Sequence, residues 1–221
     1  QVKEMDMSRT FKLGVLAAAV MAAAPAVQAY EAGDFIGRVG VVTVAPDASS
    51  DPITNLSSDA RVDVDNDTQL GLTLSYMLTD QLGLGVLAAT PFSHDIKGDG
   101  DLAGLGKLAE TKQLPPTITL QYFPMPSGSK LQPYVGAGVN YTVFFDEQTA
   151  GALAGTDIKL DDSFGLAAEV GLDYMITENI GVNAAVWWID IDTEAKIEAV
   201  NQTVDVEIDP LVYMVGLSYK F

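Results

Sequence analysis

Leu70-Gly71-Leu72-Thr73-Leu74-Ser75-Tyr76 alternates large apolar side chains with Gly, Thr and Ser, and Leu78 continues the apolar parity. A period of two puts one kind of residue on each face of a β-strand, here an apolar face backed by a small, polar one. The pattern recurs along the chain. Phe35, Val39 and Val41 alternate with Arg38 and Gly40; Leu82, Leu84 and Val86 with Gly83 and Gly85; Ile118, Leu120 and Tyr122 with Thr117, Thr119 and Gln121. Val135, Ala137, Val139, Tyr141 and Val143 alternate with Gly136, Gly138, Asn140 and Thr142, and Leu166, Ala168, Val170 and Leu172 with Gly165, Glu169 and Asp173. Ile180, Val182, Val186 and Trp188 face away from Gly181 and Asn183, and Leu211 to Phe221 closes the chain against Gly216, Ser218 and Lys220.

These segments predict eight strands. Their connections alternate in length: Thr79 to Gln81, Pro124 to Lys130 and Met175 to Asn179 are short. Ala45 to Asn66, Ser93 to Gln113, Asp146 to Asp162 and Asp192 to Asp209 are long loops. An even strand number, long loops at one end and tight turns at the other predict an all-β fold, an eight-stranded antiparallel transmembrane β-barrel with long extracellular loops and short periplasmic turns. Tyr76, Tyr122, Tyr141, Tyr174, Tyr213, Tyr219 and Trp188 fall near strand ends, where an aromatic girdle belongs. A soluble barrel of the lipocalin type would turn the apolar parity inward and load its outer surface with Lys and Glu. The small residues and scattered charges on the second parity suit a narrow, packed lumen instead.

The 221 residues hold 12 Lys or Arg, 30 Asp or Glu, one His and no Cys, for a net charge of −18. This excludes Cys/His zinc centres, Cys-His nucleophile pairs and disulfide scaffolds, and the acidity argues against a nucleic-acid partner. Arg9 and Lys12 precede an apolar run, Leu13 to Ala24, and Val27-Gln28-Ala29 gives a small-x-small signal. This predicts a leader and signal peptide over 1–29, cleaved after Ala29, with Met7 as the natural start and the barrel over 30–221. About a dozen apolar residues fall short of the roughly 20 that a spanning helix needs. Without Lys3, Arg9, Lys12, Glu4 and Asp6 the exported chain has 9 basic and 28 acidic residues, net −19. The terminal Phe221 closes an alternating apolar run, as in chains handed to the outer-membrane barrel-assembly machinery.

Several blocks then resemble the outer membrane protein W (OmpW) family: Thr68-Gln-Leu-Gly-Leu-Thr73, Leu87-Ala-Ala-Thr-Pro-Phe92, Leu114-Pro-Pro-Thr117, Pro133 to Gly138 with Asn140-Tyr-Thr142, and Trp187 followed by Ile189-Asp-Ile-Asp-Thr193. The resemblance covers essentially the whole exported chain. It implies a passive outer-membrane channel for small hydrophobic molecules, without enzymatic activity or cofactor, in a Gram-negative bacterium. It also implies a channel gate at Leu87 and, where the family has Trp in an Asp-Ser-Trp-Gly block, at Phe164 in Asp162-Ser-Phe-Gly165. Leu87 shares parity with Gly83 and Gly85 and so projects into the lumen. Phe164 shares parity with Leu166, which requires either a bulge or a position above the membrane.

The remaining expectations follow from physical context. Arg38, Glu169, Asp173 and Lys220 share the inner parity and should pair with one another in a narrow lumen. Ile53, Leu56, Leu102, Leu105, Leu108 and Leu153, with Ile158 and Leu160, are expected to line an extracellular funnel, the spacing of Leu102, Leu105 and Leu108 suiting a short amphipathic helix. The many inner glycines are read as leaving room for a cavity. His94 is placed at the rim of the second loop. Gly83-Leu-Gly-Val-Leu-Ala88 lies inside a strand and is no dinucleotide site. Asp63, Asp65 and Asp67 lack the Gly and Glu of a calcium loop. Membrane lipid, lipopolysaccharide and small hydrophobic solutes are the expected partners. The alternative is a non-transporting structural barrel, or a loop-mediated receptor or adhesin for phage or bacteriocin.

Overall fold

The computed structural model describes residues 30–47, 49–50, 60–198 and 201–221, so the expected leader and the funnel residues Ile53 and Leu56 lie outside the described residues. In chain order the strands are β1 (Phe35–Ala45), β2 (Ser49–Ser50), β3 (Ala60–Val64), β4 (Asp67–Met77), β5 (Leu82–Ala89), β6 (Phe92–Gly100), β7 (Lys107–Leu114) and β8 (Thr117–Tyr122). They continue with β9 (Leu131–Thr149), β10 (Ile158–Leu160), β11 (Ser163–Met175), β12 (Ile180–Ile189), β13 (Asp192–Ile197), β14 (Gln202–Glu207) and β15 (Leu211–Lys220). Among the described residues no helix is long and apolar enough to cross a membrane, so any crossing falls to strands.

Eight strands close a barrel. The antiparallel ladder runs β1, β4, β5, β8, β9, β11, β12, β15 and back to β1, where Val39 faces Leu72 on one side and Leu217 on the other. Closure leaves no sheet edge, which is what lets a β-structure sit in lipid with every backbone group paired. The apolar parity faces out: Leu72, Leu120, Val135, Val170 and Val215 are all exposed. Tyr76, Tyr122, Tyr174 and Tyr219 ring the short-turn end, and Tyr141, Tyr213 and Trp188 the opposite end.

The long connections are not loops in the sense expected from sequence. Most of Ser93 to Gln113 is the β6–β7 hairpin, which extends the wall on both sides, pairing with β3 and with the upper half of β9. Asp192 to Asp209 contains the β13–β14 hairpin, flanked by β10 and β2. The amphipathic helix expected around Leu102, Leu105 and Leu108 is replaced by one 3₁₀ turn, Ala103–Leu105, ended by Gly106 at φ +65°, a conformation that glycine tolerates and leucine does not.

Candidate functional site

From the short-turn end upward, the lumen is filled in layers. At the bottom Tyr30, Ile36, Met77, Phe123 and Met175 are buried together. The Tyr30 and Phe123 rings meet edge-on at 5.4 Å, and the Tyr30 hydroxyl points to Met175 Sδ at 3.7 Å.

Above them lies a polar layer. Arg38 donates to Asp173 through Nε (3.0 Å to Oδ1) and Nη2 (2.6 Å to Oδ2), and through Nη1 to Ser75 Oγ at 2.8 Å. Asn183 donates to the same carboxylate at 2.9 Å, and the guanidinium lies 4.9 Å from the centre of the Tyr134 ring. The Arg38 and Asp173 side chains are 1% and 0% exposed. Glu169, also buried, accepts from Thr119 Oγ1 (2.5 Å) and Gln121 Nε2 (2.8 Å). Lys220 does not join them: its Nζ lies 3.9 Å from Asp34 at the periplasmic end. The inner glycines do not leave a cavity here, because the space is used. A Cβ at Gly85 would strike the Gln121 amide, one at Gly136 the Glu169 carboxylate, and one at Gly171 the Tyr134 ring. This layer is a plug.

Next comes an apolar layer of Val42, Ala167, Ala185, Trp187, Met214 and Leu87, all buried in one cluster. Leu87 is 5% exposed and points inward. Followed from strand to strand, its register row reads Arg38, Thr73, Leu87, Thr117, Asn140, so Leu87 is the apolar member of an otherwise polar row. Phe164 is elsewhere. It is 70% exposed, directly opposite Tyr141 in an unbroken β9–β11 register, and it belongs to the outer aromatic belt. With no bulge to turn it, the parity of β11 holds it on the outer face, away from Leu87 and the lumen. The aromatic ring buried in the same layer as Leu87 is Trp187, which the sequence reading did not weigh as a gate although it shares parity with Gly181 and Asn183.

Above this layer the hairpins enclose an apolar chamber of about 40 Å³, lined by Val62, Val64, Ile96, Phe144, Ile158, Leu160, Ala195, Ile197, Val204, Val206 and Ile208. Of the described residues expected in a funnel, Ile158 and Leu160 are here. Leu108 is buried and Leu102 partly buried, both outside the chamber lining, Leu153 is half-buried, and Leu105 faces solvent. Alternation along the extended strands, rather than loop collapse, decides which side chains point in. His94, Thr111, Gln113 and Thr193 supply the polar part of the lining. His94 is not on a surface rim but 2% exposed, its Nδ1 2.7 Å from the Asp65 carbonyl and its Nε2 2.9 Å from Gln113 Nε2. Burial pushes its imidazole below the ordinary histidine range, only partly offset by that carbonyl and by the Asp67 and Asp65 carboxylates. Asp63, Asp65 and Asp67 do not converge on one point: Asp65 pairs with Lys97, while Asp67 accepts from Gln69 and the Ser93 amide.

Beside the chamber floor the barrel wall changes. The β5–β8 ladder ends at Leu87 opposite Thr117, and the β6–β7 ladder begins at Phe92 opposite Gln113. Among the described residues no register pair joins 88–91 to 114–116. Pro91, Pro115 and Pro116 fall in this seam and bring no backbone N–H to close it.

A closed barrel with an apolar belt, aromatic girdles and a polar-plugged lumen defines an outer-membrane β-barrel protein. Residues 31–221 match the OmpW family, and the chain belongs to it. Outer membrane protein W of Vibrio cholerae serotype O1 is 49% identical over 214 residues, 94% of this chain and 97% of its own. The crystal structure of the outer membrane protein OprG from Pseudomonas aeruginosa superposes with a TM-score of 0.81 at 50% identity, covering 88% of this chain and 99% of that one. The solid-state NMR structure of outer membrane protein AlkL in lipid bilayers gives 0.66 at 27% identity, covering 87% and 92%. These relatives are outer-membrane barrel proteins, and that membrane is where this chain belongs.

Proposed function

We propose that the protein is a passive, non-enzymatic route for small hydrophobic molecules across the hydrated outer leaflet, with Leu87 as its gate. A solute enters the chamber from outside, is stopped by the Leu87 layer beneath it, and leaves sideways into lipid through the seam at Pro91, Pro115 and Pro116. The observation that carries this reading is the apolar chamber, which lies above the Leu87 layer and the dry plug and reaches, at Gln113, the seam in the wall. A straight passage would have to separate the Arg38–Asp173 pair, and an apolar solute offers those charges nothing in exchange.

The test is protein-dependent flux of a labelled alkane or small aromatic into vesicles. Leu87→Ala opens space in the layer beneath the chamber and should raise flux. Leu87→Asp puts a carboxylate into an apolar, poorly hydrated site and should suppress it. Unchanged flux in both correctly folded variants would favour the receptor reading.

A further inference from the structure

His94 and Gln113 meet in the chamber wall in an arrangement that one proton reverses. The Asp65 carbonyl, 2.7 Å from His94 Nδ1, can only accept, so Nδ1 carries the ring proton and Nε2 of the neutral imidazole is an acceptor. Gln113 Nε2, 2.9 Å away, is the donor of that pair, which fixes the way the amide points. Both side chains are buried, and Gln113 Oε1 has no hydrogen-bond partner. A second proton on the ring turns Nε2 into a donor. Two donors then face each other, and a half-turn of the amide replaces that conflict with a bond from Nε2–H to Oε1. The oxygen that lacks a partner beside the neutral ring gains one, and the amide nitrogen gives up its own. Each state leaves one polar group of Gln113 unsatisfied, so the two lie close in energy and a single charge decides between them.

The surroundings admit that charge. From the corner between β3 and β4 the Asp67 and Asp65 carboxylates act on the ring. Asp67 is held in place by Gln69 and the Ser93 amide, and Asp65 by Lys97. The other charges of β3, β6 and β7, Asp63, Asp95, Lys107, Glu110 and Lys112, alternate with the chamber lining and stand on the outer face of the wall, where Lys107 pairs with Asp95 and Glu110, and Lys112 with Asp146. Across the chamber β9, β13 and β14 present Phe144, Thr193, Ala195, Val204 and Val206, none of them ionisable.

We propose that His94 and Gln113 form a proton-operated switch that charges the chamber in mild acid and shuts it to hydrophobic solutes. The closing rests on the reading of the chain as a route for such solutes, whereas the rearrangement of the pair does not. An imidazolium in an enclosed wall of Val, Ile and Ala side chains calls for water or a counter-charge, and an apolar solute supplies neither.

The experiment follows the full barrel in lipid nanodiscs by nitrogen NMR from about pH 8 to about pH 4.5, the range in which histidine charges, with folding checked by gel mobility. Above the midpoint a nitrogen–nitrogen coupling should join Gln113 Nε2 to His94 Nε2 through their hydrogen bond. Below it the coupling should vanish, and the Gln113 amide resonances should move with the same midpoint as the ring. Gln113→Glu supplies a standing acceptor and should raise the ring's midpoint by at least about one pH unit. Flux of a labelled alkane into vesicles should fall about tenfold per pH unit below the wild-type midpoint, as a one-proton step with only the neutral form open requires. His94→Gln should lose that dependence, whatever its absolute rate. A ring that charges while the Gln113 amide stays as it was, or one that stays neutral until the barrel unfolds, would overturn the switch, and the wild-type spectra decide this alone if a variant does not fold. Rearrangement of the pair with pH-independent flux would overturn the closing. Rearrangement in a barrel that passes no alkane at any pH would refute the transport reading and leave the switch of the pair standing.

Discussion

Removing either partner of the Arg38–Asp173 pair tests whether the lumen is dry. Arg38→Met deletes two bonds to Asp173, at 3.0 and 2.6 Å, one to Ser75 at 2.8 Å, and the contact with the Tyr134 ring. It leaves a fully buried carboxylate that has lost its counter-charge and keeps the neutral Asn183 amide as a donor. Breaking a buried pair on one side costs about 3–5 kcal/mol, and Asp173→Asn should cost as much by stranding the guanidinium. The double change Arg38→Met with Asp173→Leu removes both charges. Burying apolar groups instead gains up to about 4 kcal/mol, offset by the lost partners of Ser75 and Asn183 at about 0.5–1.5 kcal/mol each. The double variant should therefore lie within about 3 kcal/mol of wild type, with a coupling energy of at least about 3 kcal/mol. Urea unfolding in detergent micelles, read by tryptophan fluorescence and by heat-modifiable gel mobility, measures all four states of the cycle. If the lumen held water, the pair would behave as an exposed one worth at most about 1 kcal/mol. Single-variant losses below that value would refute the plug.

On the outer wall, Leu72→Arg should cost about 2–4 kcal/mol near the bilayer midplane, read as lost heat-resistant barrel. Thr73→Arg, which parity alone would allow as a lumen change, should be at least as damaging, because Thr73 is buried and paired in register with Arg38. Acid should weaken the barrel in two steps. The His94 imidazole is held below its ordinary pKa, so the unfolded chain takes up a proton first. Stability then falls as pH drops through the ordinary histidine value of about 6.5, down to the folded one. Asp67 is held below the ordinary carboxylate range. Its desolvation is outweighed by Gln69 and the Ser93 and Thr68 amides, so its contribution disappears only as pH falls below about 4. A pH series of urea midpoints should show both steps, and His94→Gln should remove the first alone.

The outer surface was legible because lipid imposes one rule on every strand: Leu70, Leu72 and Leu74 announce a lipid face without knowledge of any partner. The inside obeys no such rule. Arg38 and Asp173 stand 135 residues apart, and sequence parity showed only that both face inward. The same parity suggested a wider network, but Lys220, at the very end of β15, reaches Asp34 outside the plug. Glycines at 85, 136 and 171 read as empty space, whereas each accommodates a large side chain from a neighbouring strand. Phe164 was carried over from a family motif against its own parity, and parity won. The chamber was hidden because Val62, Ile96 and Val206 sit in short, charge-rich alternating stretches that read as loop and are strand.

The claim that solutes leave through the wall is tested most directly at the seam. In a Pro91→Ala, Pro115→Ala, Pro116→Ala variant, three backbone donors return between β5–β6 and β7–β8, and the two ladders can join across residues 88–91 and 114–116. Flux of a labelled alkane into vesicles should fall at least severalfold relative to the wild-type barrel, while chamber binding, measured separately in nanodiscs, stays the same. Undiminished alkane flux through a folded barrel whose amide exchange shows the seam closed would contradict lateral exit.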